Sequence, residues 1–154
     1  MHTAKCLALV AAGLLLAACD QQVISGKGSE IEFLNMPGME NLNRPFSTAV
    51  RVDNTLYLSG VIGTDPSAPR PMPGGIQAET RRAMEIIGEE LEAFGSSLDR
   101  VVKCTVFLAD IDEWAAMNEV YVTFFDTPPA RSALGTSGLA LGARMEIECI
   151  AVLD

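Results

Sequence analysis

The stretch VVKCTVFLADIDEWAAMNEVYVTFFDTPP, residues 101–129, decides the fold. Val101 to Leu108 is rich in β-branched and aromatic residues and reads as a strand. Asp110, with Glu113 three residues on, resembles a capping box at a helix start. Ile111, Trp114, Met117, Tyr121 and Phe124 then recur at helical spacing on one side, and Pro128-Pro129 stops the helix. A strand feeding straight into a helix is the unit from which α/β sheets are built.

Working outward, Pro129-Ala130-Arg131-Ser132 reads as a turn held by proline, and a Gly-rich stretch over 135–142 leads to a last strand from Arg144 to Leu153. Upstream, Ile76, Ala83, Met84, Ile87, Leu91 and Phe94 predict a helix over 75–94, with Gly95 as its stop. Residues 64–75 carry Pro66, Pro69, Pro71 and Pro73 and form a loop. Two strands, 47–52 and 55–61, flank Asp53-Asn54, a pair suited to a tight hairpin turn. Residues 31–35 alternate weakly and suit an edge strand. The order β-β-β-α-β-α-β predicts an α/β sandwich with two helices on one sheet face.

Two helices cover one face, so the other needs a cover. Met145, Ile147, Cys149, Ala151 and Leu153 share one side of the last strand. Glu146 and Glu148 share the other with Ile150 and Val152, so that side is half apolar. Val101, Thr105 and Phe107 leave a similar second side on their strand. This pattern predicts burial against another subunit; a loop or the N-terminal strand is the alternative cover.

With 154 residues the chain suits one domain, and its 49% hydrophobic content excludes a wholly disordered one. Its net charge of −9 argues against general nucleic-acid binding. The mean hydropathy of +0.25 is raised by the N-terminus. There Lys5 precedes an apolar run, Cys6 to Ala18, too short to span a bilayer comfortably. The run ends in Leu16-Ala17-Ala18-Cys19, which resembles a bacterial lipobox; an ordinary signal peptide that happens to contain a cysteine is the alternative. The resemblance implies that residues 1–18 are a lipoprotein signal and that Cys19 is lipidated. It places the protein in the cell envelope, anchored through that lipid to the membrane and facing the periplasm. Asp20 favours the inner membrane. Residues 19–30 then form the lipidated cysteine and a polar, Gly/Ser-rich tether to a domain over 31–154.

Two residues carry the chemical argument. Arg131 offers a planar, permanently charged fork that matches a carboxylate; a surface salt bridge is its ordinary fate. Glu146 begins the last strand beside apolar positions, where a carboxylate can act as general acid or base; a solvated strand-end glutamate is the alternative. The single histidine, His2, lies in the signal, so the mature chain has no histidine triad or His-rich metal site. Cys104 and Cys149 read as core thiols, able to pair only if their strands are neighbours.

Several of these motifs occur in the order found in the RidA (YjgF) family. Pro129-Ala130-Arg131-Ser132, Leu134, Ser137, Leu139 and Met145-Glu146-Ile147 resemble its signature. Leu58-Ser59-Gly60, the run from Leu98 to Leu108, and Asn118, Tyr121 and Phe125 resemble further parts of it. The resemblance runs from about residue 45 to the end. It implies a chorismate-mutase-like α/β fold, a mixed sheet with two helices on one face. It also implies a homotrimer with three clefts between subunits.

In the family such clefts hydrolyse reactive enamines and imines to 2-keto acids and ammonia, with no metal or organic cofactor. Residue by residue, Arg131 would hold the substrate carboxylate and Glu146 would activate water. Ser59, Gly60 and Asn118 would line the cleft. Phe46 stands where the family has a tyrosine, Ala133 where it commonly has a cysteine, and Glu79 and Arg82 alter its helix glutamine pattern. A non-catalytic trimer that binds small carboxylates is the alternative. The family's older labels are translation inhibitor and endoribonuclease; the negative charge and the export signal weigh against RNA.

Overall fold

The computed structural model describes residues 28–39 and 43–153. The expected signal segment, Cys19, Asp20 and most of the expected tether lie outside the described residues. Six strands form one sheet: β1 (Ile31–Leu34), β2 (Ala49–Val52), β3 (Thr55–Leu58), β4 (Val101–Leu108), β5 (Ala130–Gly135) and β6 (Met145–Val152). Their spatial order is β1-β2-β3-β6-β4-β5, and only the β4–β5 pair is parallel. Helices α1 (Ile76–Ala93) and α2 (Trp114–Tyr121) cover one face. Among the described residues no helix is long and apolar enough to cross a membrane.

Local chemistry explains the elements. Asp53 takes a φ of 51° in the turn between β2 and β3, a conformation aspartate tolerates because its short side chain bonds locally. Its carboxylate Oδ1 accepts from the Glu30 N–H at 3.0 Å. Helix α1 ends where Gly95, at φ 81°, lets the Ser96 N–H reach the Leu91 carbonyl (2.8 Å) and its own N–H reach that of Glu92 (3.2 Å). The face formed by Ile76, Thr80, Ala83, Met84, Ile87 and Leu91 is buried. Thr80 satisfies its hydroxyl by donating to the Ile76 carbonyl at 2.7 Å. Burying each large aliphatic side chain here stabilises the fold by roughly 1.5–3 kcal/mol. These side chains meet Leu56, Leu58, Val106, Leu108, Met117, Met145 and Ile147 from the sheet and α2.

Four sequence expectations are corrected. Residues 130–132 are not a turn but the start of β5, an edge strand. Helix α2 is the crossover that returns the chain parallel to β4, so this piece is a strand-helix-strand unit. The segment ARSALG has no β-branched residue and hides its strand character.

The second correction concerns Val101, expected on the open side of β4. A register shift between Val101 and Lys103 turns it inward, where it is buried; Lys103, Thr105 and Phe107 keep the open side. Third, the capping box is half formed. Asp110 caps the turn Ile111–Glu113 by accepting from the Asp112 N–H at 3.0 Å, but the Glu113 carboxylate pairs with Arg144 instead. The predicted apolar side of this helix is correspondingly uneven. Met117 and Tyr121 are buried, whereas Ile111 and Trp114 are exposed.

Fourth, Cys104 and Cys149 are not free thiols. They face each other across β4 and β6 with Cα atoms 4.1 Å apart and form a buried disulfide. Their burial on the core side was legible in the sequence, but their pairing depends on a strand order that places β6 beside β4.

Away from the helices the sheet is open. Phe33 (73% exposed), Ile31 (56%), Tyr57 (46%) and Leu134 (43%) stand on this face with Ile150, Val152, Thr105 and Phe107. Within the described residues neither β1 nor a loop covers it, since β1 extends the sheet edge instead.

Candidate active site

The seven candidate site residues fall into two groups. Glu146 is the second residue of β6, opposite Phe107, and its side chain leaves on the open face. Its carboxylate lies against Gly60, just beyond β3. A Cβ at Gly60 would overlap Glu146 Oε1 and stand 2.9 Å from its Cδ. Glycine lets the Glu146 carboxylate approach this closely, and it does so without an unusual backbone angle. The neighbouring Ser59 donates its hydroxyl to the Ser47 carbonyl at 2.7 Å, and its N–H to the Thr48 carbonyl at 3.0 Å. These bonds tie the segment holding Phe46 to the end of β3. Phe46 is 55% exposed, with the Arg44 guanidinium 5.9 Å from its ring centre. Phe46, Ser59, Gly60 and Glu146 therefore make one half of the candidate site.

Arg131, Ala133 and Asn118 make the other. Arg131 pairs in register with Cys104, whose side chain is buried in the core, so Arg131 leaves on the helix-covered face. Ala133, two residues on, shares that face and packs on the core. The Arg131 guanidinium lies 4.5 Å from the Tyr121 ring centre and 5.4 Å from that of Trp114. Both rings come from α2, which also carries Asn118 between them. Among the described residues no carboxylate pairs with Arg131, and its Nη1 is buried without a hydrogen-bond acceptor. Burial pushes the Tyr121 hydroxyl above its ordinary pKa range, while the Arg131 charge draws it partly back. Sequence reasoning assigned Trp114 and Tyr121 to a helix side and missed this contact. The usable signal was two aromatics seven residues apart, which is two helical turns, ahead of a lone arginine.

Glu79 belongs to neither half. It is buried, and its carboxylate accepts from the Arg144 N–H at 2.8 Å, pinning the approach to β6 onto α1. Burial raises its pKa, and the N–H groups of Arg144 and Met145 oppose that rise. Arg82 pairs with Glu85 (3.4 Å) and Glu89 (2.9 Å) along its own helix.

An unneutralised guanidinium on one face and a carboxylate seated on a glycine at the other are the two functions needed to hold an acid and activate water. One chain presents them on opposite sides of its sheet. This combination of mixed sheet and divided candidate site defines a small α/β protein with two separate clusters of polar and charged side chains. The chain belongs to the RidA/YjgF family: the family model described as Endoribonuclease L-PSP matches residues 40–153. It is 46% identical over 109 residues to the 2-iminobutanoate/2-iminopropanoate deaminase of Mus musculus, covering 70% of this chain and 81% of that protein. It is similar in fold to the YjgF gene product of E. coli (TM-score 0.71, 29% identity, 79% of this chain and 98% of that one). RidA from an Antarctic Psychrobacter is also similar (TM-score 0.68, 33% identity, 83% and 100%). The mixed sheet with two helices on one face, expected from the family resemblance, is the fold observed.

Proposed function

We propose that this protein hydrolyses small 2-imino and 2-enamine carboxylates to 2-keto acids and ammonia, in clefts formed between subunits of a homotrimer. The observation that carries this reading is the division of Arg131 and Glu146 between opposite faces of one sheet. A cleft that joins the two needs Arg131 with Asn118 from one copy and Glu146 with Gly60 from the next. The open apolar face supplies the surface on which copies would meet. The deaminase relatives support the chemistry.

In that cleft Arg131 takes the substrate carboxylate through its free edge and orients the C=N carbon. Glu146 accepts a proton from water as the oxygen attacks C2, giving a carbinolamine. That proton passes to nitrogen, the C–N bond breaks as ammonia leaves, and the C2 hydroxyl gives its proton to the Glu146 carboxylate, which leaves the keto group. An enamine enters the same sequence after protonation at its β-carbon. No metal or organic cofactor takes part in these steps.

The protein acts, in this reading, as a lipoprotein anchored through Cys19 and facing the periplasm, with Asp20 favouring the inner membrane. The Cys104–Cys149 disulfide supports an oxidising compartment. The test is to generate 2-iminobutanoate or 2-aminoacrylate with a dehydratase beside the purified protein and follow its decay. Wild type accelerates decay; Arg131→Ala and Glu146→Ala do not. The second reading, a carboxylate-binding trimer without turnover, is favoured by Phe46 and Ala133, which lack the polar groups the family places there. Tight carboxylate binding that depends on Arg131, with decay at the buffer rate, would select it.

A further inference from the structure

Arginines that must hold still are usually fixed by an aspartate or glutamate. Such a partner immobilises the guanidinium but also neutralises it, so less charge is left for a ligand. Arg131 is held differently. Tyr121 is 2% exposed and lies 5.0 Å from the Phe125 ring, so its position is set by the core. Trp114, two turns earlier on α2, is 41% exposed and stands at the rim. Both rings lie within cation–π distance of the guanidinium, and among the described residues the buried Nη1 has no oxygen acceptor.

We propose that Trp114 and Tyr121 are positioning residues for the carboxylate clamp. The ring faces grip the buried edge of Arg131 through their quadrupoles, which carry no net charge. The guanidinium is thereby oriented without being neutralised, and its full charge is available to an incoming carboxylate. This inference rests on reading Arg131 as the carboxylate site.

A spectroscopic consequence follows from composition. Trp114 is the only tryptophan in the chain, so its emission reports on the residue it stacks against. A carboxylate bound at Arg131 changes the charge beside the indole.

The experiment titrates the purified full-length protein with 2-oxobutanoate, the stable product class of the proposed reaction. It reads Trp114 emission, with calorimetric Kd for variants that lack the indole, and steady-state KM and kcat on enzymatically generated 2-iminobutanoate. Wild type shows a saturable emission change that Arg131→Ala abolishes. Trp114→Ala and Tyr121→Leu raise Kd and KM by about ten-fold or more, while kcat moves much less. Trp114→Phe and Tyr121→Phe, which keep a ring face, restore most of the loss. A purely structural role would lower melting temperature without this split. Should Tyr121→Leu lose the fold, Trp114→Ala decides alone, because that residue is at the exposed rim. Wild-type Kd and KM in Trp114→Ala would overturn the proposal while leaving the Arg131 reading intact. A wild-type protein that neither binds 2-oxobutanoate nor accelerates imine decay would overturn the Arg131 reading, and this proposal with it.

Discussion

Arg131 and Glu146 lie on opposite faces of one sheet, on the two strands that flank β4. Arg131 shares its face with the buried side of Cys104, and Glu146 leaves on the side of Phe107 and Thr105. A cleft that uses both therefore draws them from different copies. Arg131→Ala and Glu146→Gln should each lose about 100-fold or more in kcat/KM, the usual scale for a positioning clamp or a general base. Mixing the two inactive variants and refolding them together should recover about a quarter of wild-type activity, since random assembly restores that share of clefts. Recovery is read from imine decay; an inactive mixture of demonstrably mixed trimers would contradict the divided site.

Gly60 is predicted to matter for chemistry more than for stability. An alanine there meets the flexible end of Glu146 rather than backbone, so the side chain can swing away at small cost. Gly60→Ala should keep its melting temperature within a few degrees of wild type, since relocating a half-exposed side chain costs only about 1 kcal/mol. Its activity should fall toward that of Glu146→Gln. Thermal melting and imine decay on the same preparation separate the two effects.

The Cys104–Cys149 bridge closes a loop with a sequence separation of 45. In the chain-entropy account a loop of that length stabilises by about 4 kcal/mol. The double variant Cys104→Ala/Cys149→Ala should unfold at lower denaturant with that order of loss. Thiol titration of denatured wild type without reductant should find neither of these two cysteines free. Two free thiols at these positions would remove the bridge from the account.

Glu90 gives the fold a pH signature. Burial raises its carboxyl to about 7, with Glu89 pushing the same way and the Arg44 charge opposing. A carboxyl raised above its ordinary value of 4.5 favours the folded state when protonated. Its contribution is fully present below the unfolded pKa and is lost as pH rises through about 7. Glu90→Gln should therefore melt close to wild type near pH 4 and above it near pH 8, by up to about 3 kcal/mol. Melting temperatures across that range check the sign; a variant equally or less stable at high pH would refute it.

How far the sequence could be read depends on which interactions set each feature. Helix α1 was legible because its apolar residues repeat at helical spacing and Gly95 supplies the left-handed stop. The face assignment of β6 was legible because alternation alone separates Met145, Ile147 and Cys149 from Glu146 and Glu148. The edge strand β5 was not, because half-exposed edge positions accept residues of low strand propensity. The turn inward at Val101 was missed because one extra residue at a register shift reverses the alternation without leaving a mark in composition.

The same division holds for the site. Local sequence and resemblance singled out the candidate residues: Arg131 by its permanently charged fork, Glu146 by its place among apolar neighbours. Tertiary structure alone decided the rest. Strand order paired Cys104 with Cys149, close packing seated Glu146 on Gly60, and α2 laid Trp114 and Tyr121 against Arg131. These relations join residues far apart in the chain, so periodicity, which reports a residue's own face, cannot say what that face meets.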